Sequence, residues 1–160
     1  MEESRFTAEV LRMQDTLYRV AVSILHHDAD AQDAVQQALE NAWKHRDRVN
    51  PDYFAPWLMR IVINGCKTQL RQKKRVIVSD RMELYGGEAP PPDPSLRDAL
   101  QRLPLKYRMP LLLHYLEGFS LEEIAQIARL PLNTLKSRMH RARQMLRAEW
   151  NKAEEMKDEG

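Results

Sequence analysis

The sequence predicts an all-α fold of two small helical domains joined by a flexible linker rich in Pro and Gly. Three observations favour this fold. Apolar residues recur every three to four positions along most of the 160-residue chain, as they do on the buried face of a helix. The stretch YGGEAPPPDP, residues 85–94, contains two Gly and four Pro and cannot continue a helix. Long β-branched alternating runs, which indicate strands, do not occur.

Composition limits the class of protein further. The chain is 43% hydrophobic and 30% charged with a net charge of +2, which fits a helical protein that is not a general polycation. The single cysteine, Cys66, excludes an internal disulfide and a cysteine-based metal cluster. The N-terminus lacks the pattern of a secretory signal, and no apolar run approaches the roughly 20 residues that span a bilayer. We therefore expect a cytoplasmic protein without membrane insertion.

Three helices are predicted in a first domain, residues 1–76. The first helix carries apolar residues with helical spacing at Phe6, Val10, Met13, Leu17, Val20 and Ile24. Asp30 is expected to cap the second helix, and the buried stripe of that helix would be Ala34, Val35, Ala38, Leu39, Ala42 and Trp43. The third helix should run from about Phe54 to Arg75, with Pro56 in its first turn. Its expected inner face consists of Trp57, Leu58, Ile61, Val62, Gly65 and Leu70.

A linker at 77–94 precedes a second domain at 95–150 and a charged tail at 151–160. Ser95 is the expected cap of a helix at about 96–102, and a second helix at about 105–117 contains Pro110, which should kink it or delay its start. The segment SLEE, residues 120–123, is a capping box that starts a third helix. A turn at 130–132 follows, and Asn133 is expected to cap the last helix.

The last helix combines an apolar stripe with strong positive charge. Residues 133–150, NTLKSRMHRARQMLRAEW, hold five Lys or Arg and one acid. At about 100° per residue, one arc of about 80° contains Leu135, Met139, Ala142, Leu146 and Trp150. The residues outside this arc are Asn133, Thr134, Lys136, Ser137, His140 and Arg141, with Arg138 and Arg143 beside the stripe. A capped helix, a short turn and a basic helix indicate a helix-turn-helix that binds the DNA major groove.

Two other charged stretches extend this interpretation. Residues 67–75, KTQLRQKKR, contain five basic residues and no acid, and they suit a second DNA contact, although positive charge also favours a helix C-terminus. The second stretch, residues 26–43, contains no Lys or Arg and suits a protein partner. Its four acids are Asp28, Asp30, Asp33 and Glu40. Charge at a helix N-terminus alone also explains Asp30 and Asp33. A basic amphipathic helix can likewise be a solvated face or a membrane-binding helix.

A metal site or an enzyme is not predicted. His26 and His27 lie beside Asp28 and Asp30, but adjacent His residues on a helix end point in different directions, and no second cluster occurs. We expect no catalytic residues and no cofactor, and we assign Cys66 to the core.

Taken together, the motifs resemble the extracytoplasmic-function (ECF) sigma factors of bacteria over roughly residues 5–150. DAQDAVQQALENAW, residues 30–43, resembles the helix of that family that binds core RNA polymerase. FAPWLMRIVINGCKTQLRQKKR, residues 54–75, resembles its segment for the minus-10 promoter element. Residues 103–143, from LPLKYR to MHRAR, resemble its minus-35-binding domain. The resemblance implies core RNA polymerase and promoter DNA as partners, and it suggests an anti-sigma factor as a third.

The resemblance also implies roles for individual residues. Those for core polymerase are Asp30, Asp33, Gln36 and Gln37. Those for the minus-10 element are Asn64, Arg71, Lys74 and Arg75, and the loop at His45–Tyr53 would hold a flipped promoter base. Those for the minus-35 element are Thr134, Lys136, Ser137, Arg138, His140 and Arg141. Apart from the resemblance, Arg138 and Arg143 suit phosphates because they flank the stripe. The alternative is a stand-alone helix-turn-helix regulator with a helical effector domain, which would bind duplex DNA without polymerase.

Some positions depart from the usual pattern of the family. Gln37 stands where Glu is usual, Leu39 where an aromatic is usual, and the frequent acid near Thr68 is missing. Arg129 and Asn133 replace two common Gly residues around the turn. Because Arg tolerates left-handed backbone poorly, we expect a slightly altered turn.

Overall fold

The computed structural model describes the backbone of residues 1–80 and 96–159, and the side chains of residues 1–73 and 96–155. Every regular element in these ranges is helical, and the prediction of an all-α fold is confirmed. The chain divides into two compact units, Met1–Asp80 and Arg81–Gly160. Most of the expected linker, residues 81–94, and its neighbour Ser95 lie outside the described residues.

Three helices form the first unit: α1 at Glu3–Leu25, α2 at Asp28–Lys44 and α3 at Phe54–Asp80. Each of the three contacts the other two, so they enclose one apolar core. The predicted stripe of α1 is buried except for the half-buried Val10. The helix ends at Leu25, and His26 follows it in left-handed backbone (φ 56°), which stops the helical pattern.

Helix α2 begins earlier than the sequence predicted. It starts at Asp28, so Asp30 lies within the first turn, and the expectation that Asp30 caps the helix was wrong. The cap is His27, whose Nδ1 accepts a hydrogen bond from the Asp30 N–H at 3.4 Å. The fully buried residues are alanines, namely Ala31, Ala34, Ala38 and Ala42, while Val35, Leu39 and Trp43 are half-buried. Small residues at these positions allow α2 to lie close to its neighbours.

Helix α3 is longer than predicted and is rotated about its axis. It continues from Arg75 to Asp80, into the expected linker, because the next residues, VIVSD, contain no Gly or Pro. Among its described side chains, the buried ones are Phe54, Pro56, Leu58, Met59, Val62, Ile63 and Cys66. Four residues of the predicted inner face, Trp57, Ile61, Gly65 and Leu70, are half-buried instead. Phe6 joins the helices through edge-to-face contacts with Trp43 at 5.2 Å and Phe54 at 5.5 Å between ring centres.

The second unit contains α4 at Leu96–Gln101, α5 at Leu105–Leu111, α6 at Leu121–Ala128 and α7 at Leu132–Glu159. Pro110 lies inside α5 without delaying its start, and a π-helical segment, Leu112–Leu116, follows it directly. Because proline has no N–H to donate, α5 lacks the regular helical hydrogen bond to the Lys106 carbonyl. Gly118 then takes a left-handed conformation (φ 78°) and ends the segment.

Helix α7 packs its apolar stripe on α4, α5 and α6. Leu135, Met139 and Ala142 are buried, and Leu146 and Trp150 are half-buried, so the predicted stripe faces the core. The helix continues to Glu159 through most of the expected charged tail, and Ala153 is buried there. It begins at Leu132, so Asn133 lies in the first turn, and its prediction as the cap was wrong.

Candidate nucleic-acid and partner interfaces

The connection between α6 and α7 has the expected form of a helix-turn-helix. Ser120 Oγ accepts from the Glu123 N–H at 3.1 Å, and the Glu123 carboxylate accepts from the Ser120 N–H at 3.0 Å. The predicted capping box at the start of α6 is therefore confirmed. At the other end, the Leu130 N–H donates to the Ala125 carbonyl at 3.0 Å. These bonds fix both ends of the helix that precedes the basic helix.

The turn places Arg129 in left-handed backbone, with φ 54° and ψ 48°. This conformation costs a non-glycine residue roughly 1–2 kcal/mol. The Pro131 carbonyl accepts from the Leu135 N–H at 3.0 Å, which closes the first turn of α7. The helix-turn-helix thus forms around Arg129 despite its unfavourable backbone.

The exposed side of α7 carries the residues predicted for the minus-35 element. The exposed ones are Thr134, Lys136, Ser137, His140, Arg141 and Arg143, and Arg138 is half-buried beside the stripe. The exposed set lies in the N-terminal half of α7. Cationic and hydroxyl side chains on one exposed helix face suit base edges and phosphates.

Two tyrosines reach this basic helix from the preceding elements, and the sequence did not predict either contact. The Arg141 guanidinium carbon lies 5.7 Å from the centre of the Tyr107 ring, and the Lys106 ammonium lies 5.1 Å from it. Arg143 donates to the Tyr115 hydroxyl at 3.4 Å. Both contacts depend on how α5 and the π-helical segment pack against α7. The only signal for them in the sequence is that aromatic residues occur near a basic helix.

In the first unit, α2 and α3 line an open groove of about 1000 Å³. Six amide side chains contribute to it: Gln36, Gln37, Asn41, Asn64, Gln69 and Gln72. Asp33 and His45 are the ionisable residues of the lining. Three residues predicted for polymerase, Asp33, Gln36 and Gln37, therefore share one surface with Asn64, which was predicted for the minus-10 element. A surface of amide groups presents donors and acceptors together and suits a polar partner.

Asp30 differs from the other residues predicted for polymerase. Its carboxylate forms an ion pair with Lys73 of α3. Its side chain is 24% exposed, whereas Asp33, Gln36 and Gln37 are exposed residues of α2. Burial lowers the pKa of Lys73, and the neighbouring carboxylate favours its charged form. The structure therefore joins Asp30 to α3 as well as placing it near the groove.

The residues predicted for the minus-10 element follow one side of α3. Asn64 and Arg71 are exposed, and Thr68 connects them. The Thr68 hydroxyl donates to the Asn64 carbonyl at 3.0 Å and accepts from Arg71 at 3.4 Å. Lys74 and Arg75 belong to the same helix, but their side chains lie outside the described part of the structure.

The loop between α2 and α3 is held by short-range contacts. Arg46 stacks on the Trp43 ring at 3.7 Å and donates to the Trp43 carbonyl at 2.7 Å. Asn50 Oδ1 accepts from the Asp52 N–H at 3.1 Å at the start of a 3₁₀ turn, Pro51–Tyr53. Tyr53 at the end of this loop is 51% exposed, which makes its ring accessible for stacking. An exposed aromatic ring in a fixed loop is the kind of group that stacks with an unpaired base.

Among the described side chains, no three His, Cys, Asp or Glu residues are grouped as a metal site requires. Cys66 is buried in the core of the first unit, and burial raises the pKa of its thiol to about 12. Within the described residues, no helix is both long and apolar enough to span a bilayer.

Comparisons with known proteins match both units. Residues 10–76 match the family model for sigma-70 region 2, and residues 94–146 match that for sigma-70 region 4. The RNA polymerase sigma factor SigV of Bacillus subtilis is 32% identical over 140 residues, which cover 84% of each chain. The ECF RNA polymerase sigma factor SigW of the same organism is 28% identical, over 84% of this chain and 82% of SigW. The chain also resembles a solved structure of the sigma factor RpoE in complex with the anti-sigma factor NepR from Bartonella quintana. The TM-score is 0.71 at 27% identity, and the match covers 91% of this chain and 96% of the RpoE chain.

Proposed function

The chain belongs to the ECF family of RNA polymerase sigma factors, and from this premise we propose how its side chains share the work of promoter-specific transcription initiation. Sigma factors bind core RNA polymerase and direct it to promoters, and they are not enzymes. The observation that supports the assignment of roles most strongly is the exposed basic face of α7 behind a capped helix and a tight turn. We place this function in the cytoplasm, where promoter DNA and polymerase meet.

Residues 95–150 constitute sigma region 4 in this proposal. The basic face of α7 enters the major groove at the minus-35 element. Lys136 and Arg141 contact base edges because they lie near the N-terminus of the helix and project from its exposed arc. Arg143 contacts a phosphate, and so does Arg138 beside the stripe. Thr134, Ser137 and His140 complete the contact surface.

Residues 1–76 constitute sigma region 2. The groove between α2 and α3 receives core polymerase through Asp33, Gln36 and Gln37, whose exposed polar side chains need no rearrangement to be reached. Asp30 supports this surface through its ion pair with Lys73. Residues of the α3 side, Asn64, Arg71, Lys74 and Arg75, bind the minus-10 element, and the loop at 45–53 holds an extruded base.

An anti-sigma factor is the third partner in this proposal. The related RpoE was solved with the anti-sigma factor NepR, and the match to that structure covers most of this chain. A protein that covers the polymerase-binding surface of a sigma factor prevents holoenzyme formation by competition, which follows from mutually exclusive binding.

The decisive experiment is transcription in vitro with core RNA polymerase, with and without the chain, on templates whose minus-10 and minus-35 elements are randomised. We expect transcripts that depend on the chain and derive from a restricted set of promoter sequences. Binding of the chain alone to duplex DNA is measured in parallel. Tight, sequence-specific binding without polymerase, together with no stimulation of transcription, would instead support a stand-alone regulator.

A further inference from the structure

We propose that Tyr107 is a positioning residue for promoter specificity, which holds the Arg141 guanidinium in the orientation that contacts a base of the minus-35 element. The inference rests on the proposed function, because it assumes that the exposed face of α7 lies on DNA. It assigns a role to a residue of α5 outside the recognition helix itself.

The geometry centres on one aromatic ring. Tyr107 lies in α5 and is half-buried, so neighbouring residues cover part of its side chain. The Arg141 guanidinium carbon lies 5.7 Å from the ring centre, within the range of about 6 Å for a cation–π contact. The Lys106 ammonium lies 5.1 Å from the same ring. Two cations from α5 and α7 are therefore gathered at one aromatic side chain.

This contact matters because arginine is a flexible side chain. A free Arg loses on the order of 2 kcal/mol of rotamer entropy when it is fixed in one geometry on a base. A base contact requires the guanidinium fork to meet two acceptors at once, whereas a phosphate accepts it from many directions. A ring that restricts the fork before binding therefore improves discrimination between bases more than it improves overall affinity.

The second tyrosine provides an internal comparison. Tyr115 lies on the π-helical segment, is 58% exposed and accepts one hydrogen bond from Arg143 at 3.4 Å. This contact is a hydrogen bond to the hydroxyl group. Because Arg143 is assigned to a phosphate, loss of the Tyr115 hydroxyl should leave base preference unchanged.

The test uses the full-length chain with core polymerase on a library randomised in the minus-35 element. Tyr107→Leu and Tyr107→Met remove the ring, Tyr107→Phe retains it, and Tyr115→Phe removes the other hydroxyl. We expect both ring-less variants to lose roughly two- to fivefold of the discrimination at the positions that Arg141→Ala also relaxes. Tyr107→Phe should restore it, and Tyr115→Phe should match the wild type. The Tyr107→Leu change should have no further effect in an Arg141→Ala background.

Three outcomes separate this inference from the proposed function. If Arg141→Ala relaxes the preference and the folded ring-less variants keep that of the wild type, Tyr107 has no positioning role. The inference is also overturned if the ring-less variants weaken all promoters equally, because that result indicates a structural role. If Arg141→Ala itself leaves the preference unchanged, the assignment of this helix face to base contacts is wrong. Tyr107 then has no base contact to position.

Discussion

Asp30 of α2 and Lys73 of α3 form an ion pair in which the side chains are 24% and 19% exposed, respectively. Asp30 was predicted to bind polymerase, and Lys73 belongs to the basic stretch that was predicted to bind DNA. Neither charge is therefore fully available to an outside partner. The ion pair instead connects the two helices that line the amide-rich groove.

The first prediction concerns this ion pair. Asp30→Asn leaves the Lys73 ammonium partly buried without its carboxylate, so the free energy of unfolding should fall by about 1–2 kcal/mol. The affinity of the folded variant for core polymerase should change little, since Asp33, Gln36 and Gln37 remain exposed. Denaturant unfolding and a pull-down with core polymerase measure the two quantities. Unchanged stability together with lost polymerase binding would show that Asp30 acts as a direct contact.

The second prediction concerns Asp33, which lines the groove and is exposed. Asp33→Arg reverses a charge at the proposed polymerase contact and should weaken core binding by about tenfold or more, because like-charge or unpaired-charge contacts are costly in an interface. The helix itself should remain folded by circular dichroism. Asp15→Arg makes the same change at an exposed position of α1 and serves as the matched control. Equal affinities for the two variants would place the polymerase contact elsewhere.

The third prediction compares two glycines that differ in backbone conformation. A Cβ added at either Gly65 or Gly118 meets no atom within 4 Å, so crowding affects neither substitution. Gly65 lies inside α3, and Gly65→Ala should stabilise the chain by roughly 0.5–1 kcal/mol. Gly118 has a φ of 78°, and Gly118→Ala should destabilise it by about 1–2 kcal/mol.

Chemical denaturation of the two variants beside the wild type tests this contrast. Stabilisation by both substitutions would mean that Gly118 does not hold the left-handed backbone in solution. Destabilisation by Gly65→Ala would mean that this part of α3 is not a regular helix.

The fourth prediction concerns pH and Cys66. Burial raises the pKa of the thiol from 9.0 to about 12, so the folded state keeps its proton where the unfolded state loses it. The contribution to stability is therefore complete below pH 9 and is lost as the pH rises from 9 toward 12. Relative to Cys66→Ala, the wild type should lose about 1.4 kcal/mol of unfolding free energy between pH 8 and pH 10. Parallel curves for the two proteins would mean that the thiol is accessible to solvent.

The sequence predicted most elements of the fold because the strongest local signals agreed with the tertiary structure. The capping box at Ser120 and the stripe from Leu135 to Ala142 needed no information from distant residues. The rotation of α3 did need such information. Its segment WLMRIVI is apolar on more than one side, so periodicity could not decide between Ile61 and Met59 as the buried residue. The choice is made by contact with α1 and α2.

The candidate sites also divide into those with a local sequence signal and those that depend on tertiary contacts. The exposed face of α7 could be predicted from the sequence because the apolar stripe of the helix identifies its buried side. The different environment of Asp30 could not, because Lys73 is distant in sequence and the two meet only when α2 packs on α3. The cap at His27 was missed for a local reason: an imidazole nitrogen accepts the bond that Asp or Ser usually accepts at this position.

The last prediction distinguishes Arg141 from Arg143 in the proposed minus-35 interface. Arg141 lies on the exposed arc in the N-terminal half of α7, and a bidentate contact to guanine contributes about 1–3 kcal/mol of discrimination. Arg141→Ala should therefore relax the preference at one or two positions of a randomised minus-35 library. Arg143 lies beside the stripe, and a phosphate contact adds salt-dependent affinity without sequence information. Arg143→Ala should weaken promoters uniformly and make the slope of holoenzyme binding against salt shallower by about one unit.

Transcription from the library and holoenzyme binding across salt concentrations separate these effects within one pair of variants. Both variants replace an exposed arginine of the same helix with alanine, so each controls for the general loss of charge and helix packing in the other. The two arginines are two residues apart, which places them about 200° apart around the helix axis. They therefore cannot face the same base pair. A wild-type sequence preference in Arg141→Ala combined with a relaxed preference in Arg143→Ala would mean that the opposite side of α7 lies in the groove.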